Sequence, residues 1–113
     1  QNRQDAVKKL AGQCDLVIVV GSANSSNSNR LVEVAERRGV RARLIEDAND
    51  VQGDWLNDVK SVGLTAGASA PEVLVQQVSE RLAALGFTNQ RDLDLIREDV
   101  VFTLPPELVG RPA

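Results

Sequence analysis

Five consecutive apolar residues, Leu16 to Val20, stop abruptly at Gly21. A run that is apolar at every position marks a strand buried on both faces of a parallel sheet. Upstream, Ala6, Val7, Leu10 and Ala11 recur at helical spacing and predict an amphipathic helix over about residues 3–12. Downstream, small polar residues precede a second helix, whose inward stripe is Leu31, Val34 and Ala35 and which Gly39 ends. Residues 40–45 read as the second strand and 46–50 as a turn or helix start. Residues 51–59 predict a short helix anchored by Trp55, and 61–64 a short third strand. A second small-residue loop, 65–70, follows, and Pro71 suits the first position of a helix. Val75, Val78, Leu82 and Leu85 line one face of that helix, and Gly86 closes it. Residues 87–99 are polar and read as a connector; 100–104 predict an edge strand before Pro105-Pro106.

The alternation of helix and strand predicts a parallel sheet with helices on both faces. The expected fold is a single α/β domain over 1–113, with three α/β/α layers and a mostly parallel, roughly four-stranded sheet. The stretch 86–113 supplies a connector and an edge strand.

A chain of 113 residues suits one domain. With only Trp55, Phe87 and Phe102 as aromatics, the core must be aliphatic. The net charge is −3, and Lys8-Lys9 and Arg37-Arg38 are isolated pairs, so nucleic-acid binding has no electrostatic footprint. No apolar run is long enough to span a bilayer and no secretory signal is visible, so the expected setting is the cytoplasm. Histidine and tyrosine are absent, which removes the commonest acid–base side chain and weighs against a complete enzyme. The single cysteine, Cys14, can form neither an internal disulfide nor a multi-cysteine metal site.

Both small-residue loops leave a predicted strand at its carboxyl end and enter a helix. Ligands of open α/β sheets bind outside those strand ends, and a helix amino terminus adds unpaired N–H groups and partial positive charge. The first loop offers the short donors Ser22, Asn24, Ser25, Ser26, Asn27 and Ser28 behind Gly21. The second offers Thr65 and Ser69, with Gly67 and three alanines keeping the approach open. Neither loop is a Walker A sequence or a Gly-x-Gly-x-x-Gly fingerprint, which disfavours a dinucleotide. Serine and asparagine are also ordinary helix caps. Yet six of the seven positions 21–27 are Gly, Ser or Asn, more than capping requires. A phosphate-type anion is the favoured reading, with plain caps the alternative.

Other polar residues have structural roles to hand. Arg30 can steady a phosphate or pair with Glu33, and pairing is preferred. Cys14 lies at the helix-to-strand junction, at the far end of the first strand from the loop, and reads as a packed thiol. Glu46, Asp47, Asp50, Asp54 and Asp58 have no histidine or cysteine beside them and read as a solvated acidic face.

The segments Asn2-Arg3-Gln4, Val19 to Leu31 and Gly63 to Pro71 carry a resemblance. They are similar to carboxy-terminal signatures of the LytB-type 4-hydroxy-3-methylbut-2-enyl diphosphate reductases, closely over residues 1 to about 87 and more loosely beyond. The resemblance implies an enzyme of three small α/β domains around a 4Fe-4S cluster, acting at the last step of the non-mevalonate isoprenoid pathway. Two electrons and protons remove the substrate hydroxyl, giving isopentenyl and dimethylallyl diphosphate. By the same resemblance Ser25, Ser26, Asn27 and Ser69 hold the diphosphate, and the reading of the loops adds Gly21, Ser22, Asn24, Thr65 and Gly67 as their support. It further implies a bacterial cytoplasmic setting, an electron donor such as ferredoxin or flavodoxin, and two further domains of the same enzyme as partners.

In that family each domain gives one cysteine to the cluster, and the third domain's lies just before the Asn-Arg-Gln segment. This chain begins at Gln1, and Cys14 is wrongly placed to substitute. The expectation is therefore a binding domain with no catalytic or metal-ligating residue of its own, carrying no cluster and inactive alone. Two rival readings remain. One is a sugar-phosphate-binding or isomerase-type domain, with Glu33 or Glu72 as base. The other is an interaction module whose loops are only caps.

Overall fold

In a computed structural model of the chain, residues 2–67, 70–92 and 100–103 are described. The order is α1 (Asn2–Ala11), β1 (Leu16–Val20), α2 (Ser26–Arg37), β2 (Arg41–Ile45), β3 (Ser61–Ala66), α3 (Glu72–Ala84), β4 (Asn89–Asp92) and β5 (Val100–Thr103). Two short 3-10 turns, Ala48–Asp50 and Gly53–Leu56, lie between β2 and β3. The class is α/β, as the apolar pattern predicts.

All five residues of β1 are buried, because the strand sits at the centre of the parallel part of the sheet with layers above and below. Leu16, Ile18 and Val20 share one core with Val78 and Leu82 of α3 and with Val51 and Leu56 of the 3-10 segment. Val17 and Val19 face the other way and pack with Val7 and Leu10 of α1 and with Leu31, Val34 and Ala35 of α2. The helices are thus split between two faces, which makes three layers. Each fully buried aliphatic side chain contributes about 1.5–3 kcal/mol.

The strand order is β2-β1-β3-β5-β4, with β1 parallel to β2 and β3, and β5 antiparallel to both β3 and β4. The described residues therefore form five strands. β4 falls in the stretch read as a connector. Its sequence, Asn-Gln-Arg-Asp, has no apolar signal, and backbone pairing with β5 holds it. β5 lies inside the sheet, with β4 taking the edge. Of the helix expected at 51–59 only the single 3-10 turn Gly53–Leu56 forms, while Ala48–Asp50 falls in the stretch read as a turn or helix start. Gly53 and two aspartates are poor helix formers, and the first turn, opened by an Asp47–Asp50 capping box, ends at the extended Val51. Trp55 is half-buried, with the Arg43 guanidinium 5.5 Å from its ring centre.

The connections position the site. From β1 the chain leaves through α2 over one face, and from β3 it leaves through α3 over the other. The carboxyl ends of β1 and β3 lie side by side, with Val20 in register with Ala66. A crevice between neighbouring strands whose connections diverge is a topological switch point.

Candidate anion-binding site

The first loop is built by its own small side chains. Ser22 Oγ accepts from the Asn24 N–H at 3.1 Å, and the Ser22 carbonyl accepts from the Ser25 N–H at 3.0 Å. Ser25 is the N-cap of α2, with extended backbone and its Oγ accepting from the Ser28 N–H at 3.2 Å. Asn29, one turn on, donates its side-chain amide to the carbonyls of Ala23 and Ser25, both at 2.9 Å. Its position in a helix gave no reason to single it out, so sequence reasoning assigned it no role. Ser22, Asn24, Ser26 and Asn27 stay exposed at the mouth, and Ser25 is half-buried.

The second loop starts flush against the first. Gly21 N–H donates to the Ile45 carbonyl and Gly67 N–H to the Val20 carbonyl, both at 2.9 Å, extending the ladder one step past each strand. A Cβ built on Gly21 would lie 2.8 Å from Ser28 Cβ. One on Gly67 would lie 3.5 Å from Ser28 Cβ and 3.5 Å from Asn27 Oδ1. Glycine at 21 and 67 is what lets the first turn of α2 settle onto the strand ends, bringing Asn27 beside the second loop. Ala70 N–H returns to the Gly67 carbonyl at 3.1 Å, and α3 opens at Glu72 after Pro71 without a side-chain cap.

Thr65, read as a loop residue, lies instead in β3 and is fully buried, because that strand runs two residues further than its apolar pattern indicated. Ser69 lies outside the described residues. Arg30 pairs with Glu33 on the exposed surface of α2, Nε to Oε1 at 3.7 Å. Glu72 is exposed at the start of α3.

The two sides of the crevice differ in charge. On the α3 side a cleft of about 290 Å³ is lined by Val20, Gly21, Ser22, Ala70, Pro71 and Leu74 together with the Glu46 carboxylate, which accepts a long 3.5 Å contact from the Ala23 N–H. On the α2 side the exposed groups are hydroxyls, amides and the first turn of a helix. An anion is favoured on the α2 side.

Cys14 lies at the other end of β1. Its thiol donates to the Leu10 carbonyl at 3.2 Å, and burial raises its pKa from 9.0 to about 11, partly offset by the backbone N–H groups of Gly63 and Leu16. A thiol held protonated fits a cluster ligand poorly, since iron–sulfur clusters are held by several thiolates. The residues described here do not fit a 4Fe-4S cluster.

Fold and crevice together define an open α/β domain with a topological switch point at the carboxyl ends of β1 and β3. Residues 1–83 match the LytB protein family. The chain belongs to that family. It is similar to the 4-hydroxy-3-methylbut-2-enyl diphosphate reductase of Bordetella pertussis, 61% identical over 108 residues that cover 96% of this chain and 33% of that protein. It is also similar to the enzyme of that name from Mannheimia succiniciproducens, 59% identical over 107 residues, 95% of this chain and 34% of that protein. A solved structure of (E)-4-hydroxy-3-methyl-but-2-enyl diphosphate reductase, the terminal enzyme of the non-mevalonate pathway, superposes with a TM-score of 0.69 at 39% identity, over 73% of this chain and 29% of that one. The Plasmodium falciparum reductase superposes with a TM-score of 0.67 at 39% identity, over 78% of this chain and 26% of that one. The chain spans about a third of the length of the curated relatives it matches. Among the described residues no helix is long and apolar enough to cross a membrane.

Proposed function

We propose that this chain is the diphosphate-binding domain of a 4-hydroxy-3-methylbut-2-enyl diphosphate reductase, working in the cytoplasm at the last step of the non-mevalonate route to isoprenoids. The observation that carries the reading is the register of Val20 with Ala66 at a switch point where one loop runs into a capped helix. Ser25, Ser26 and Asn27 supply hydroxyl and amide donors at the start of α2, and Ser69 supplies another from the second loop. Neutral short donors orient a diphosphate without a long flexible cation in the way, which suits a group that must be held in one pose while the far end of the molecule reacts.

The chemistry at that far end belongs to the rest of the protein. The 4Fe-4S cluster, its cysteines, the proton donor and the docking site for ferredoxin or flavodoxin are assigned to the rest of a full-length reductase. This chain binds and orients.

A titration tests the reading. Backbone amide shifts of the chain are followed as inorganic diphosphate, an allylic diphosphate and a sugar phosphate are added in turn. Shifts confined to residues 22–28 and 65–71 with the diphosphates are expected. A preference for the sugar phosphate would transfer the site to the isomerase-type reading, and no shift at millimolar ligand would leave the loops as caps.

A further inference from the structure

Ser28 combines two properties that rarely meet. It is fully buried, and its Oγ is the one buried side-chain oxygen or nitrogen among the described residues that finds no hydrogen-bond partner. Native proteins pair nearly all such groups, because a hydroxyl taken from water without a partner costs free energy that packing must offset. Alanine would fill almost the same space at no such cost. The hydroxyl is also not aimed into apolar packing. It lies where the side chains of Gly21 and Gly67 would be, against the backbone of the first residue after each strand end. The same residue's N–H is already used by the Ser25 cap, which fixes the backbone and leaves the hydroxyl free to rotate.

We propose that Ser28 is a further anion-binding residue, whose hydroxyl donates to an acceptor that arrives with the diphosphate, either a phosphate oxygen or a water held by it. The inference rests on the reading of the crevice as a diphosphate site. It adds a buried donor beneath Ser25, Ser26 and Asn27, where the starts of the two loops meet. Such a group destabilises the unloaded protein slightly and favours the loaded one, the signature of a functional polar atom in an otherwise consistent core.

The test uses a full-length reductase containing this chain, with Ser28→Ala and Asn27→Ala compared against the unaltered protein. Inorganic diphosphate binding is measured by calorimetry, and the unfolding midpoint is measured without ligand. For Ser28→Ala the unliganded midpoint is expected to stay level or rise while affinity falls about tenfold, the loss of a hydrogen bond to a charged group. A purely structural serine would give the opposite pattern, a lower midpoint with unchanged affinity, and that result overturns the inference. If Asn27→Ala loses affinity and Ser28→Ala does not, the inference about Ser28 fails alone. If neither variant loses affinity, the diphosphate site itself is refuted.

Discussion

The Gly67 N–H donates to the carbonyl of Val20 at 2.9 Å, so the first residue of the second loop is bonded to the last residue of the strand that opens the first. The two walls of the crevice are therefore not independent. Their separation is set by the β1–β3 pairing, which this bond extends, and by the Ser28 side chain packed against Gly21 and Gly67.

This coupling makes Gly67→Ala informative. The added Cβ would clash with the buried Ser28 Oγ, forcing the first turn of α2 to shift, while the Asn27 carboxamide at 3.5 Å stays at ordinary contact distance. Overpacking of this kind costs about 1–3 kcal/mol. We expect a lower denaturation midpoint together with weakened diphosphate binding. Unchanged binding would show that the two walls do not share a ligand.

Ser25 has two roles that substitutions can separate. As N-cap of α2 its hydroxyl is worth about 0.5–2 kcal/mol of stability relative to alanine. Aspartate caps as well as serine but places a negative charge where the diphosphate would sit. Ser25→Ala should therefore lose both stability and binding, and Ser25→Asp should keep stability and lose binding. Denaturant unfolding paired with diphosphate titration reads the two effects. Binding retained by Ser25→Asp would remove Ser25 from the anion site.

Much of this architecture is legible in the residues, for identifiable reasons. Leu16–Val20 is apolar at every position because neither face meets water, and such a run has few other uses. The 21–27 loop is legible because small donors are crowded just where a strand hands over to a helix. β4 left no trace because an edge strand held by backbone pairing needs no apolar side chain. The position of β5 inside the sheet was hidden for the same reason, since its second neighbour is that polar strand. Asn29 was overlooked because helix-interior asparagine usually faces solvent, whereas here it reaches back to clamp the Ala23 and Ser25 carbonyls. No motif separates a capping serine from a ligand-binding one; Ser25 is the cap, and only its place at the switch point argues for more.

Ser69 is assigned by resemblance as the donor of the second wall. In a full-length reductase, Ser69→Ala should weaken diphosphate binding by about 1–3 kcal/mol, the range for a hydrogen bond to a charged group. Because the change removes only a hydroxyl, unfolding should be little altered. Equal affinity and rate in the two proteins would leave the second loop without a ligand.

Cys14 gives a prediction at the opposite end of the sheet. Burial against Leu10 and Gly63 raises its pKa from 9.0 to about 11. At pH 8 the thiolate fraction should be roughly 100-fold below that of the same thiol in the unfolded chain, and alkylation by iodoacetamide correspondingly slow. The sign of the linkage follows from the direction of the shift. The folded protein holds this proton more tightly than the unfolded chain, so the stabilisation is fully present below about pH 9 and is lost as the pH rises through about 11. Lysines also titrate in that window, so the comparison must be internal. Between pH 8.5 and 11 the fall in unfolding free energy should be smaller in Cys14→Ala than in the unaltered chain, on the order of 1–2 kcal/mol after allowing for partial exposure. Alkylation of the folded protein at the unfolded rate would show that the thiol is neither buried nor held protonated. It would then reopen Cys14 as a reactive or metal-binding group.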